Sequence, residues 1–522
     1  MLVAAASIAS LLPAASPGAS LPISPASIDR TVARTMEAFE VPGVAVGIVK
    51  DGKLVFAKGY GVRELGKPES VGPRTLFQIG SNTKAFTVAA LAMLVDAGKF
   101  RWDDRVIDYL PQFRLYDAYV TREFTIRDLL SHRSGLGTGA GDLMFFPETD
   151  FTREELIEGL RHLKPATSFR TEYDYDNVLY VVAGEVVAAI SGESWEDFIA
   201  NRLLAPLGMS PCAPTYERVI DRSDMASPHA HVDGHLKTIP VEKLQLSAAA
   251  GAINCSIDGM ARWLQAQLAQ GKATNGRSIF SAERGAEMWS MNTIKPIQPE
   301  LAALTRTHFA GYALGWEVRD SFGRKIVSHT GGVPGSVTWI TLVPELQLGV
   351  MVFTNQQSDI AMEVVGNQIL DAYLQAPTRD WVAIGVAFDA RRAAHAKAIE
   401  DEARKVSASA SPPALSLEAY AGCYIDAWRG AATVRREGDN LILKFGRTDR
   451  LEGVLHPFRG NVFIVRWNDR SLDADAYVRF GQGFGRDIER MSMQAVSPAT
   501  DFSFDFQDLD FRKVESCSGL KQ

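Results

Sequence analysis

Hydrophobic and polar positions change their period several times along the chain, and each change predicts a different element. Residues 27–39 follow the 3.6-residue period of a helix. Residues 43–60 alternate apolar and polar around an Asp51-Gly52 pair, which is typical of a β-hairpin. A nearly continuous apolar stretch over 81–97 then predicts a buried helix.

The middle of the chain is mostly helical and is followed by a second group of strands. From about residue 100 to 270, helical periods alternate with long polar loops. The clearest of these helices cover 180–189, 195–203 and 256–269. Between 315 and 355 the period returns to two, in short runs separated by glycine, and a helix over 359–374 follows. Strands therefore enclose a long helical insertion.

A linker separates this part from a smaller β-rich module. Residues 377–416 begin charged and alanine-rich, with a helical segment, and end in SASASPPALS, a composition typical of linkers. Short alternating runs follow, which predict a small antiparallel barrel or sandwich over 417–522. The clearest runs are 441–445, 462–467, 477–480 and 502–506. The predicted order is a leader over 1–24, a mixed domain over 25–376, the linker and this β module.

Composition and charge narrow the class of protein. Of the 522 residues, 46% are hydrophobic and 22% are charged, which excludes general disorder and a multi-span membrane protein. The 55 Lys and Arg against 62 Asp and Glu give a net charge of −7, and no basic run offers a nucleic-acid surface. We expect a mildly acidic globular protein with no nucleic-acid partner and no stable membrane span.

The N-terminal residues predict export. Residues 2–15 are apolar and small, like the central region of a secretory signal, and the first charged side chain is Asp29. No Lys or Arg precedes this stretch, as a signal peptide would normally have, so a cytoplasmic protein is the alternative. The stretch is shorter than the ~20 apolar residues that span a membrane. We expect a secreted or periplasmic location.

The chain has four cysteines, and none belongs to a C-x-x-C pair, which argues against a zinc ribbon or a thioredoxin-like site. Cys423 and Cys517 lie near the two ends of the last domain, where they could pair. We favour four reduced thiols without a special role over that pairing.

The strongest local signal for chemistry is Ser81-Asn82-Thr83-Lys84, at the start of the predicted buried helix. Lys84 follows Ser81 by one turn and lies on the same face. A serine at a helix N-terminus feels the positive end of the helix dipole, which favours developing negative charge. A desolvated lysine has a lowered pKa and can take the proton of a hydroxyl group. The motif alone also fits a capping serine beside a solvated lysine.

Two further motifs favour the catalytic interpretation. YDN at 175–177 precedes an apolar helix, and HTGG at 329–332 ends an alternating strand. In this order, S-x-x-K, Y-x-N and [KH]-[TS]-G resemble the three motifs of the serine β-lactamase and penicillin-binding peptidase superfamily. LLSHRSGL, LLAPLGM and LGVMVFTN resemble signatures of its branch of class C β-lactamases, DD-peptidases, D-aminopeptidases and esterases.

The resemblance covers residues 27–376 and implies an α+β fold. That fold is an α/β sandwich, in which helices flank an antiparallel sheet, with an added all-helical subdomain. The module after the linker resembles the lipocalin-like C-terminal domain of some peptidases in this branch, which is a small all-β barrel.

The resemblance also implies catalytic roles. Ser81 would be the nucleophile that forms an acyl-enzyme, and Lys84 would hold or receive its proton. Tyr175, with a pKa lowered by neighbouring cations, would be the base in acylation and would activate water in deacylation; how it shares this work with Lys84 stays open. Tyr173 is the weaker candidate because only Tyr175 has Asn two positions later. Backbone N–H groups of Ser81 and Gly332 would form the oxyanion hole.

Substrate contacts follow from the same motifs. Asn177 would bind the amide on the acyl side, Gly331 would contact the substrate, and His329 and Thr330 would line the leaving-group side. β-Lactamases and DD-peptidases usually have Lys in place of His329, and its charge favours a carboxylate-bearing substrate. A histidine is mostly neutral at pH 7, because its ordinary pKa is about 6.5. The resemblance therefore points to the esterase and aminopeptidase members, with β-lactam hydrolysis less favoured.

Other signals lead to no predicted chemistry. HAHVDGH at 229–235 looks like a metal cluster, but its Asp-Gly pair predicts a turn that would break the alignment of the histidines, and we predict no metal. The glycine-rich residues 135–142 lack the Lys-Ser/Thr of a phosphate loop and predict a flexible loop at a cleft. His132 and Ser134 belong to a signature that we interpret as structural.

We therefore expect a cofactor-independent serine hydrolase that forms an acyl-enzyme on Ser81. The favoured substrate is a small peptide or amide, and a carboxylic ester is second. The peptidase preference depends on the C-terminal module, because the motifs do not separate amides from esters. A sensor that acylates without turnover is the non-enzymatic alternative, and the intact motifs argue against it. The sequence predicts no oligomeric state.

Overall fold

The computed structural model describes residues 21–409 and 412–517, and most of the predicted leader lies outside them. Its helices are, in chain order, α1 (Pro25–Ala38), α2 (Thr83–Asp96), α3 (Ala118–Glu123), α4 (Ile126–Leu130), α5 (Arg153–Gly159), α6 (Val178–Ser191), α7 (Trp195–Phe198), α8 (Ala205–Leu207), α9 (Ala248–Gly251), α10 (Ile257–Leu268), α11 (Ala282–Met288), α12 (Pro299–Thr305), α13 (Asp359–Leu374), α14 (Trp381–Ala408) and α15 (Leu417–Tyr420). The strands are β1 (Gly43–Lys50), β2 (Lys53–Gly61), β3 (Phe77–Gln78), β4 (His229–Val232), β5 (His235–Thr238), β6 (Asn254–Cys255), β7 (Thr293–Ile294), β8 (Ala310–Tyr312), β9 (Glu317–Ser321), β10 (Arg324–Val333), β11 (Ser336–Val343), β12 (Leu348–Thr354), β13 (Gly422–Asp426), β14 (Gly430–Glu437), β15 (Asn440–Phe445), β16 (Glu452–Arg459), β17 (Val462–Trp467), β18 (Ala476–Gln482), β19 (Ile488–Ala495) and β20 (Phe511–Val514).

An eight-stranded antiparallel sheet forms the centre of the first domain. Its strand order is β2-β1-β12-β11-β10-β9-β8-β7, so the N-terminal hairpin pairs with the last strand of the domain. The central strands β1, β11 and β12 are buried on both faces, because α1, α13 and α14 cover one face and α2 and α10 cover the other. The predicted hairpin and the predicted sheet with flanking helices are confirmed.

The helical insertion brings two of the three motifs together. Two predicted helices, 180–189 and 256–269, correspond to α6 and α10. The third prediction, 195–203, is α7 followed by a π-helical turn, Ile199–Leu204. α2 and α6 are apolar on nearly all sides and pack against each other in the core. Because S-x-x-K starts α2 and Y-x-N directly precedes α6, this packing places both motifs at the same end of the helix pair.

The helices of this protein are too short or too polar to match a membrane span singly, within the part of the chain that the structure describes. In the two described ranges, no single helix is long and apolar enough to cross a membrane. α6 and the following Trp195–Leu207 reach that hydropathy only as a pair with a 76° bend between them.

The last domain is a closed antiparallel barrel of β13 to β20, which confirms the predicted all-β module. Aromatic side chains fill its interior, where the rings of Phe445 and Trp467 lie 5.9 Å apart and those of Phe445 and Phe511 lie 5.6 Å apart. These rings are almost completely buried. The barrel therefore has a packed aromatic core, which gives its short strands a common hydrophobic face.

The strand predicted over 502–506 is wrong. These residues belong to a loop between β19 and β20. Asp501 accepts a hydrogen bond from the backbone N–H of Ser503 (2.9 Å), and Asp505 accepts one from the N–H of Gly141 in the first domain (2.6 Å). Bonds between short polar side chains and nearby backbone groups compete with a strand ladder, which the apolar alternation alone does not reveal.

The predicted linker is mostly one long helix. α14 packs on α13 through Trp381 and Val382. Near its end the Ser407 hydroxyl donates to the carbonyl oxygen of Pro457 in the barrel (2.7 Å). Residues 410 and 411 lie outside the described part of the chain. The helix therefore contacts both domains.

The cysteines form two disulfides, Cys212–Cys255 and Cys423–Cys517, so the expectation of four free thiols is wrong. Backbone hydrogen bonds between Ala213 and Asn254 hold the first pair of segments together. Pairing of β13 with β20 brings Cys423 beside the chain end that carries Cys517. Both pairings depend on contacts between segments that are distant in sequence, so cysteine spacing alone did not favour them.

Candidate active site

Gly80 determines where Ser81 lies. Its φ of +52° is in the left-handed region, and a Cβ there would come within 2.7 Å of the backbone nitrogen of Gly332 on β10. Glycine satisfies both conditions without strain. The 3₁₀ turn Gly80–Asn82 continues into α2 and packs against β10, so Ser81 lies beside Gly332. The two residues predicted for the oxyanion hole are thus on adjoining backbone segments.

Lys84 lies fully buried between Ser81 and the start of α6. Its Nζ donates to the Oγ of Ser81 (2.9 Å), the Oδ1 of Asn177 (2.7 Å) and the carbonyl oxygen of Ala250 (3.1 Å). Burial lowers the pKa of Lys84 to about 7, although the nearby carboxylate of Asp142 acts in the opposite direction. A large share of the amine is therefore neutral at physiological pH and able to accept the proton of Ser81.

Asn177 connects Lys84 with a buried carboxylate. Its Nδ2 donates to the Oδ2 of Asp142 (2.8 Å), while its Oδ1 accepts from Lys84. Burial raises the pKa of Asp142 to about 7, and hydrogen bonds from Asn177 and Ser503 together with the charge of Lys84 limit that rise. Asp142 closes the glycine-rich loop over 135–142, which sequence inspection interpreted only as a cleft loop. In the structure this loop is part of the network around Lys84.

Tyr175 lies half-buried above the same lysine. The Nζ of Lys84 is 4.8 Å from the centre of the Tyr175 ring. The centre of the His132 ring lies 4.2 Å from the centre of the same tyrosine ring. Burial raises the pKa of Tyr175 well above its ordinary value, and a hydrogen bond with Ser81 offsets this only in part. The expectation of a lowered pKa is therefore wrong for the free protein: desolvation outweighs the charge of a lysine that is itself partly neutral. Tyr175 is a neutral phenol that can donate a proton.

His329 is held as a neutral ring. Its Nδ1 donates to the carbonyl oxygen of Thr330 (2.6 Å), since that oxygen can only accept. Its Nε2 is then the acceptor for the hydroxyl group of Tyr312 (2.9 Å). Burial lowers the pKa of His329 to about 4, so the ring carries no charge at pH 7.

All three motifs meet at one cavity of about 310 Å³. Of the residues predicted from the sequence, those lining it are Ser81, Tyr175, Asn177, His329, Thr330, Gly331 and Gly332. Lys84 lies beneath Ser81 and does not line the cavity. Tyr173, the weaker tyrosine candidate, also lines it and faces Lys295, whose Nζ is 4.7 Å from the ring centre. The structure thus brings together residues from three distant parts of the chain.

The cavity has a second wall that the sequence did not predict. Asp501, Phe502 and Ser503 from the barrel domain line it. The Phe502 ring stands edge-on to Tyr175, with ring centres 5.7 Å apart and planes at 84°. No motif marked these residues, because the alternating aromatics in this segment predicted only barrel core.

Three acidic residues, Glu317, Asp359 and Asp501, line the cavity, whereas no Lys or Arg is among the described residues on its surface. Glu317 forms an ion pair with Lys295, and Asp359 forms one with Arg392 (2.9 Å). Together with a neutral His329, this arrangement lacks the fixed cation that would attract a carboxylate group.

The residues for which the sequence predicted no chemistry form hydrogen bonds within the fold. His132 accepts the N–H of Asp176 (3.0 Å) and the hydroxyl of Ser134 donates to the same residue's carboxylate (2.7 Å), so both support the turn that precedes α6. The histidine-rich segment is the β4–β5 hairpin, in which His229 bonds to the carbonyl oxygen of Asn355 (2.8 Å) and His231 to Glu40 (2.9 Å). Among residues 21–409 and 412–517, no group of three or more His, Cys, Asp or Glu is arranged to hold a metal ion.

Comparison with known families and proteins places the chain in a family. A family model described as Beta-lactamase matches residues 28–375, and one described as Domain of unknown function (DUF3471) matches residues 407–513. The chain is 29% identical over 438 residues to an unguisins hydrolase, ungD′, of Aspergillus campestris, covering 79% of this chain and 78% of the relative. It is 30% identical over 326 residues to penicillin-binding protein 4 of Amycolatopsis lactamdurans, covering 60% of this chain and 81% of that protein.

Solved structures show the same fold. The octameric penicillin-binding protein homologue from Pyrococcus abyssi is 22% identical, with a TM-score of 0.60 over 94% of this chain and 99% of its own. SurE is 18% identical, with a TM-score of 0.53 over 94% of this chain and 99% of its own. With the family model matched over more than half of its length, the chain belongs to the beta-lactamase family of serine hydrolases.

Proposed function

We propose that this protein hydrolyses small peptides or amides through an acyl-enzyme on Ser81. One observation carries the proposal: the buried Lys84 amine lies 2.9 Å from the Ser81 hydroxyl, directly beneath the cavity. With a pKa of about 7, this amine is a base matched to neutral pH. A serine without such a partner is a weak nucleophile.

In acylation, Ser81 Oγ forms a bond to the substrate carbonyl carbon while its proton passes to Lys84 Nζ. The N–H groups of Ser81 and Gly332 stabilise the oxyanion. When the C–N bond breaks, the leaving amine takes up that proton through the Tyr175 hydroxyl, which is neutral because of its raised pKa. In deacylation, water attacks the acyl carbon, its proton enters the same Tyr175–Lys84 pair, and Ser81 recovers a proton as the ester bond breaks.

The cavity supports a neutral or amine-bearing substrate over a carboxylate-bearing one. Its surface combines apolar side chains such as Phe145, Phe146 and Phe502 with carboxylates, and His329 replaces the usual lysine. The name of the unguisins hydrolase supports a hydrolytic reaction, and the structure of SurE with D-Leu, which shares this fold, supports a substrate that contains an amino acid. A carboxylic ester is the second candidate, because the same attack on a carbonyl carbon cleaves esters.

Mass spectrometry of the intact protein after incubation with a fluorophosphonate tests the nucleophile. Ser81 Oγ would bond to phosphorus, fluoride would leave, and the serine proton would pass to Lys84. We expect one adduct on the wild type and none on Ser81→Ala. A folded wild-type protein that takes up no adduct, or a variant that still does, would contradict the proposal. Many equivalents of product from a chromogenic ester would separate an enzyme from a sensor that stops after one.

His329→Lys is expected to shift substrate preference. A lysine would bring a positive charge to the cavity wall, so the ratio of kcat/KM for a carboxylate-bearing ester to that for its neutral analogue should rise about tenfold or more, as one close charge pair supplies roughly 1.4 kcal/mol. His329→Gln, which stays neutral, is the matched control. An unchanged ratio in His329→Lys would show that residue 329 does not face the substrate.

We also propose that the protein is exported. Two disulfides are typical of proteins that fold in an oxidising compartment, and the apolar residues 2–15 resemble a secretory signal. Detection of the mature protein in the medium or periplasm, with residues 1–24 removed, would test this location. A full-length protein confined to the cytoplasm would contradict it.

A further inference from the structure

A loop of the C-terminal barrel reaches into the hydrolase domain. It connects β19 to β20, and its residues Asp501, Phe502 and Ser503 line the same cavity as Ser81. The barrel is therefore more than a neighbouring module: part of the wall around the nucleophile comes from it.

This loop is anchored on the hydrolase domain by buried contacts. The carboxylate of Asp505, fully buried, accepts the N–H groups of Gly141 (2.6 Å) and Leu143 (3.1 Å), on either side of Asp142. The ring of Phe504 packs edge-on against Phe146, with centres 5.1 Å apart. The barrel thus determines the path of the backbone that carries Asp142.

A chain of hydrogen bonds runs from the barrel to the nucleophile. The Ser503 hydroxyl donates to Asp142 Oδ2 (2.8 Å), and that same oxygen accepts from Asn177 Nδ2 (2.8 Å). Asn177 Oδ1 in turn accepts from Lys84 Nζ (2.7 Å), which contacts Ser81 Oγ (2.9 Å). Each member lies buried or half-buried, so the orientation of one constrains the next.

We infer that the barrel completes the hydrolase site, with Ser503 as a positioning residue that acts on Lys84 and Asn177 through Asp142. The inference rests on the proposed function of Ser81 and Lys84. Ser503 does not contact the reacting atoms of the proposed mechanism. Its hydroxyl holds the carboxylate that orients the Asn177 amide, and that amide orients the amine that takes the serine proton.

Loss of this hydroxyl has two expected consequences. The Asp142–Asn177–Lys84 chain loses one of its constraints, and small displacements of a catalytic base cost between about 10-fold and about 100-fold in rate. Removing the hydrogen bond also raises the pKa of Asp142, which then holds its proton to higher pH and places less negative charge beside Lys84. The pKa of Lys84 should therefore fall, and the acid limb of the rate profile should move to lower pH with it.

Several charged and titratable groups surround Asp142 and act on it or with it. They are Lys84 from α2, Tyr175 and Asp176 from the turn before α6, and Asp501 and Asp505 from the barrel.

The test measures the rate of fluorophosphonate labelling of Ser81 against pH in the full chain. Three variants are compared with the wild type: Ser503→Ala, Ser503→Thr and, as matched control, Ser492→Ala, whose serine is exposed on β19. We expect Ser503→Ala to label about 10-fold to 100-fold more slowly, with its acid limb displaced to lower pH. Ser503→Thr, which keeps a hydroxyl group, should recover most of the rate, and Ser492→Ala should match the wild type.

The route through Asp142 is tested by a double-mutant cycle. In an Asp142→Asn background, Ser503→Ala should change the labelling rate and the pH midpoint by much less than in the wild type, because the two residues act through one hydrogen bond. Fully additive effects would overturn the route. A merely structural loss of folded protein would lower the labelled fraction without moving the midpoint.

The outcomes also separate this inference from the proposed function. A wild type that is not labelled at Ser81 removes the proposed function itself. A wild type that is labelled, beside a Ser503→Ala variant with the same rate and midpoint, removes the positioning role and leaves the function intact.

Discussion

Replacement of Ser81 by alanine is expected to lower turnover of a chromogenic ester by at least about 10³-fold, since a nucleophile and its partners act as a unit. Lys84 has no proton to accept once the hydroxyl group is gone, and direct attack by water depends on the oxyanion hole alone. The substitution removes one oxygen atom from a half-buried position at the start of α2, so the fold should be unaffected. Steady-state kinetics under saturating substrate would measure the loss.

Ser492→Ala is the matched control for this experiment, because it makes the same chemical change at an exposed strand position. Both variants should have the melting temperature of the wild type. Turnover by Ser81→Ala within a few-fold of the wild type would show that another hydroxyl acts. Ser247, which also lines the cavity, would then be the next residue to replace.

Lys84→Met is expected to be nearly as damaging, with a loss of about 10³-fold in kcat/KM. Methionine has a similar length and is apolar, so it suits the fully buried site, but it cannot take the proton of Ser81.

The activity of the wild-type enzyme should depend on the protonation state of Lys84. Because the neutral amine is the active form and its pKa is about 7, activity should rise with pH up to about 7, level off above it, and be lost as pH falls.

Lys84→Arg distinguishes a role of Lys84 as proton acceptor from a role that depends only on its positive charge. Arginine keeps a positive charge but holds its proton at any pH near neutrality. If Lys84 is the base, this variant should be as inactive as Lys84→Met, and substantial activity in it would show that charge alone suffices. Asp142 titrates in the same range as Lys84, so the midpoint of the acid limb belongs to the pair.

Much of the fold was predictable from local patterns. The period-two run over 43–60 became the β1–β2 hairpin, and the apolar stretch over 81–97 became α2 with its leading turn. These elements depend on neighbouring residues: a turn pair such as Asp51-Gly52 and the spacing of apolar side chains carry the information within a short window. The alternating runs after the linker predicted a barrel or sandwich, whereas the α+β fold of the first domain was implied by the family resemblance.

Three expectations were wrong for a common reason: two came from local patterns, and the pKa of Tyr175 came from the family resemblance. The 502–506 segment is a loop because Asp505 bonds to the hydrolase domain, and Cys423 is oxidised because β20 brings Cys517 beside it. Tyr175 has a raised pKa because burial outweighs the nearby amine. Each property depends on what packs against the residue, which no window of sequence contains.

The order of the three motifs and the elements that carry them can be predicted from the chain alone, because helix starts, strand ends and glycine turns are encoded within a few residues of each other. The contacts of Asp142 with Asn177, and with Ser503 at a distance of 361 positions along the chain, depend on the folded structure. Such contacts arise from the packing of a whole barrel against a whole hydrolase domain. Their energy is distributed over many buried side chains, and no single position reveals it.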